Sequence, residues 1–168
     1  MSLRIINHPG GLSLIEVVAS TMIVGMMAVA ALNSLGAATR SSESIGNRAV
    51  ALGLADELMA EIMQAPYEDP TQPVAFGRET GEAASPRSAF DDVDDYDGWN
   101  QSPPQYRDGT VMPDRAHWRH RVLVRRVTPS NPTQTSATDQ GAKRIQVVIE
   151  FDNQVLAEQF AVRTNTDE

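Results

Sequence analysis

The stretch that decides the reading is Gly10-Gly11-Leu12-Ser13-Leu14-Ile15-Glu16-Val17-Val18, the head of a long apolar run that holds a single carboxylate. From Leu12 to Thr39 there are 28 residues, and Glu16 is the only charged one. About 18 apolar residues suffice to cross a bilayer as a helix, and a carboxylate inside such a run is costly enough to point to function. The leader, residues 1–11, carries Arg4 and ends in Gly-Gly. A secretory signal places its small-residue cleavage site after the apolar core. Here the small residues precede it, so a chain cut at Gly11 keeps the run. Arg4 places the N-terminus in the cytoplasm by the positive-inside rule, with Arg40 and Arg48 a weaker opposing vote. The C-terminal domain is then expected on the periplasmic side.

Working outward, Ile45, Ala49, Leu52, Met59 and Ile62 recur at helical spacing and predict an amphipathic continuation of the same helix. Glu43, Arg48, Asp56, Glu57 and Glu61 read as its solvated face. Pro66 disfavours helix in Ala65 and sets the end near Gln64. Such a helix is roughly 80 Å long at 1.5 Å per residue, more than twice a membrane's thickness, so its outer half needs a protein surface to cover. The division expected is 1–11 leader, 12–39 membrane half, 40–65 amphipathic half, 66–116 irregular connection and 117–168 antiparallel sheet.

The connection holds seven of the ten prolines, a density that opposes regular structure. Its outstanding element is Phe90-Asp91-Asp92-Val93-Asp94-Asp95-Tyr96-Asp97-Gly98-Trp99. Asp91, Asp92, Asp94, Asp95 and Asp97 form an oxygen-rich cluster of the type calcium prefers, without the spacing of an EF-hand. The competing reading is an acidic surface loop anchored by Phe90, Tyr96 and Trp99. Beyond it, Trp118, His120, Val122 and Val124 alternate with arginines, and Ile145, Val147, Ile149 and Phe151 alternate with polar residues, as half-buried strands do. Asp152-Asn153 offers a two-residue hairpin turn, after which Leu156, Phe160 and Val162 share one face. Thr128–Ala142 reads as a polar loop. The fold class is α+β, a long N-terminal helix packed on a small antiparallel sheet.

The motif resembles the class III signal of type IV pilins and type II secretion pseudopilins. That resemblance implies cleavage after Gly11 by a prepilin peptidase, methylation of the new amino terminus at Leu12, and a retained assembly carboxylate at Glu16. Leu12 stands where the family most often has Phe. The partners implied are the peptidase, other pilin or pseudopilin subunits and an inner-membrane assembly platform. The acidic loop is also similar to one in minor pilins of the mannose-sensitive haemagglutinin type. The function expected is a minor pilin in a type IV pilus-like filament. The alternatives are a minor pseudopilin of a type II secretion system and a membrane-anchored periplasmic binding domain that never polymerises.

Other classes fare worse. Net charge is −8, or −9 once Arg4 leaves with residues 1–11, and this opposes nucleic-acid binding, which needs a basic footprint. There is no cysteine, hence no disulfide and no thiolate chemistry. No catalytic constellation is legible, so an enzyme is not expected. His117 and His120, three apart on a strand, point to opposite faces. The arginines at 119, 121, 125 and 126 read as a solvated strand face, with a neighbouring subunit's acidic loop as their other candidate partner.

Overall fold

A computed structural model describes Gly11 and residues 13–69, 76–79 and 83–165. The chain divides into two compact units, Met1–Ser44 and Ile45–Glu168. Helix α1, Leu14–Met63, starts in the first and ends in the second. In the first unit its side chains are almost all exposed. In the second, Ala51, Leu54, Ala55, Leu58 and Ile62 are buried.

That buried row is displaced from the expected stripe. Ile62 is buried and Met59 half-buried, whereas Ile45, Ala49 and Leu52 are exposed. The true row recurs at three, four and seven residues and contains two alanines, which let the helix lie close to the sheet. Glu61 is not a solvated residue either: it sits largely covered, at 16% exposure, against Arg87.

The sheet has order β1-β2-β4-β5, with β3 pairing off β2. Its strands are β1 Asn100–Gln101, β2 Trp118–Thr128, β3 Asn131–Thr135, β4 Ala142–Phe151 and β5 Gln154–Thr164, and all pairings are antiparallel. Trp118, His120, Val122 and Val124 of β2 oppose Phe151, Ile149, Val147 and Ile145 of β4 on the inward face. These eight positions are the expected ones. Asp152 and Asn153 take φ of 48° and 63°, the left-handed pair that a tight hairpin with matching twist requires.

Two expectations for this region are corrected. The segment Thr128–Ala142 contains strand β3, whose alternation is hidden by its polar composition. Phe160 and Val162 do not face the core. The β4–β5 register shifts between Ile149 and Glu150, so that Leu156 is an extra residue in β5. A bulge of one residue reverses which face the following side chains occupy. Ala157 therefore turns inward with Ile149, while Phe160 and Val162 pair with Gln146 and Arg144 on the outer face. Phe160 is 58% exposed there.

The connection between helix and sheet holds two short 3-10 turns, Arg87–Ala89 and Asp94–Tyr96, besides β1. It also contributes Phe90, Val93, Tyr96, Trp99 and Met112 to the same core as α1 and the sheet. It is a covering layer as much as a linker.

Candidate functional site

At the head of α1 the backbone N–H groups of Glu16 and Val17 donate to the Ser13 carbonyl, at 2.9 and 3.1 Å. Ser13 thus occupies the capping position, and Ser13-Leu14-Ile15-Glu16 has the spacing of a capping box. Glu16 lies in the first turn, where the helix dipole favours negative charge. Gly11 and Glu16 are exposed. Leu12, the expected methylation position, lies outside the described residues. Within α1 the most apolar 18-residue window has mean hydropathy 2.1, and none of it is buried. Among the described residues this is one helix long and apolar enough to cross a membrane.

The acidic loop matches the surface-loop reading in its aromatic anchors and differs from it in its aspartates. Its aromatics are anchors: Phe90, Tyr96 and Trp99 are buried, and the Phe90 and Tyr96 rings meet edge to face, 4.9 Å between centroids. Asp92, Asp94 and Asp95 are buried as well, which composition alone does not reveal, while Asp91 is exposed and Asp97 half-buried. Asp92 Oδ1 accepts from the N–H groups of Asp94 and Asp95 at 2.7 and 3.1 Å. Asp95 Oδ2 accepts from those of Asp91 and Asp92 at 2.9 and 3.2 Å. Asp97 accepts from Val124 N–H and pairs with Arg125. Asp94 is paired with Lys143 and accepts from Gly77 N–H at 3.0 Å. Burial and the Asp94 charge push the Asp92 carboxyl up to about 7, against a smaller opposing pull from Lys143. Four of the five candidate calcium ligands, Asp92, Asp94, Asp95 and Asp97, thus face separate donors. Among the described residues no three His, Cys, Asp or Glu side chains are grouped to hold a metal ion.

Lys143 was missed as a site residue, although a signal existed. It continues the parity of Ile145, Val147 and Ile149, so the pleat directs it inward. There it is 2% exposed.

A second buried polar group joins helix, connection and sheet. Arg87 donates from Nε and Nη2 to the two Glu61 carboxylate oxygens, both at 2.9 Å. Tyr96 Oη donates to Glu61 Oε1 at 2.9 Å, and the guanidinium lies 4.3 Å from the Trp99 ring centre. Burial and Glu61 raise the Tyr96 hydroxyl well above its usual range. His120, 1% exposed, has no hydrogen-bond partner for either ring nitrogen among the described residues. Burial, then the Arg87 charge, lowers it to about 4. His117, on the opposite face as expected, is exposed beside Asp152 at 2.8 Å.

The strand arginines find partners within the chain. Arg119 and Arg121 flank Glu150, Arg125 meets Asp97, and Arg126 lies near Asp139. Compared with known protein families, curated proteins and solved structures, the chain matches none.

Proposed function

We propose that the chain is a minor pilin or pseudopilin subunit, cut between Gly11 and Leu12, methylated at Leu12 and assembled through the apolar part of α1 into a type IV pilus-like filament. The observation that carries this reading is an exposed apolar helix whose only early charge, Glu16, follows Gly11 by five positions. In lipid such a carboxylate either takes a proton or finds a cation. Cleavage after Gly11 supplies that cation as the new amine of Leu12. Paired between neighbouring subunits, amine and carboxylate would set the axial stagger of the helices. The remainder of the molecule then acts as a folded head, held by packing and buried polar groups.

The test is Glu16→Ala. Cleavage is expected to continue, while recovery of the variant in sheared filaments falls at least tenfold. Recovery equal to wild type contradicts the assigned role of Glu16.

A further inference from the structure

The inward face of β4 runs Ile149, Val147, Ile145 and then Lys143, and its last member meets the acidic loop. Lys143 Nζ contacts Asp94 Oδ1 and the Tyr67 carbonyl, and it lies 4.3 Å from the Tyr67 ring centre. The lysine and aspartate side chains are 2% and 1% exposed, although they stand 49 residues apart in sequence. Burying two opposite charges costs several kcal/mol per ion, and their attraction repays this only with excellent geometry. A primary amine held against a carboxyl away from water has a second way to shed that cost: condensation to a neutral amide.

We propose that Lys143 and Asp94 form an intramolecular isopeptide bond, joining Nζ to Cγ, with buried Asp92 as the proton carrier. One ammonium proton passes to Asp94 Oδ1, giving amine and carboxylic acid. Nζ then attacks Cγ, and the developing charge falls on Oδ2, which already accepts from Gly77 N–H at 3.0 Å. A second nitrogen proton moves to the Asp92 carboxylate and from there to Oδ1, which leaves as water. Two of the three ammonium hydrogens depart with Oδ1, and the third stays on the amide nitrogen. Asp92 ends as it began, and no oxidant or co-reactant is consumed.

The surroundings suit the product. A secondary amide has one donor and one acceptor. The Tyr67 carbonyl is placed to receive that donor, and Gly77 N–H to serve that acceptor. Asp92 is 2% exposed and two residues from Asp94, whose backbone N–H donates to Asp92 Oδ1 at 2.7 Å, and Asp92 in turn feels the charges of both reacting groups. With no cysteine in the chain, this bond would be the covalent link between the connection and the sheet.

The experiment is intact mass spectrometry of the full chain, purified in detergent and denatured, followed by proteolysis. The expected mass is lighter than the sequence by one water, with a branched peptide joining the segments around Asp94 and Lys143. Lys143→Arg and Asp94→Ala are expected to restore the full mass. Asp92→Asn keeps an acceptor for the backbone and is expected to slow the reaction at least tenfold. Wild-type protein at full sequence mass, yielding only linear peptides, overturns the proposal. So does a water loss confined to a linear peptide as a cyclic imide at Asp97-Gly98. An Asp92→Asn variant that reacts as fast as wild type overturns the part given to Asp92.

Discussion

One helix, α1, is read by two different surroundings. Before Ser44 its side chains are mostly apolar or small and almost all exposed; after Ile45 a row of alanine, leucine and isoleucine is buried in a core shared with a sheet. Among the described residues the first segment has no partner in its own unit, and its composition is what a bilayer or a bundle of like helices accepts. The second carries Glu61, a charge held by Arg87 and Tyr96. Regular helix therefore says nothing of what a segment packs against. The charges among its side chains do.

The sharpest way to break this contrast is Glu61→Ala. It leaves Arg87 buried without its carboxylate, and losing one partner of a buried pair costs about 3–5 kcal/mol. A large fall in the denaturant midpoint of the full chain is expected, and an unchanged midpoint would show that the pair is dispensable. Next comes Leu58→Ala, which removes a fully packed side chain from the helix–sheet core and costs about 2–5 kcal/mol. Its counterpart Leu32→Ala, in the exposed apolar segment, is expected to leave that midpoint within about 0.5 kcal/mol of wild type. If both leucines behave alike, the two segments are not in different surroundings.

Acid probes the same interface. His120 titrates at about 4 in the folded chain against an ordinary 6.5. As pH falls the unfolded chain takes up the proton first, so this contribution is whole above about 6.5 and is lost toward 4. The loss amounts to ~3 kcal/mol at 1.36 kcal/mol per unit. Asp92 works oppositely: its raised value, about 7, means that the folded chain binds the proton first and gains as pH falls through that value. On going from pH 7.5 to 4.5, His120→Leu should therefore lose less stability, or gain more, than wild type, and the opposite ordering would refute the assignment. A modest effect of the opposite sign is expected from Gly53→Ala, a gain of about 1 kcal/mol. Gly53 is an exposed helical residue with open space where a Cβ would stand.

Much of the fold was legible. Alternation at Trp118–Val124 and Ile145–Phe151, the Asp152-Asn153 turn and Pro66 after the helix each reflect local rules that tertiary contacts do not override. What failed did so for nameable reasons. The buried helix row was obscured because Ala51 and Ala55 are weakly apolar while exposed Ile45 and Leu52 are strongly so. A single bulge at Leu156 sent Phe160 and Val162 outward, and no local signal marks a bulge. The burial of Asp94 depends on Lys143, a residue far away in sequence. At the head of α1 the motif is local, so Gly11, Leu12 and Glu16 stand out in the sequence alone, and the roles proposed for them concern an enzyme and neighbours outside this chain.

The central claim is that the apolar segment is kept while residues 1–11 are removed. Coexpression of the full chain with a prepilin peptidase, followed by mass spectrometry of the N-terminal peptide, tests it most directly. A peptide beginning at Leu12 and carrying one methyl group is the expected result. An N-terminus still including residues 1–11, or a cut beyond Thr39 that discards the helix, would contradict it.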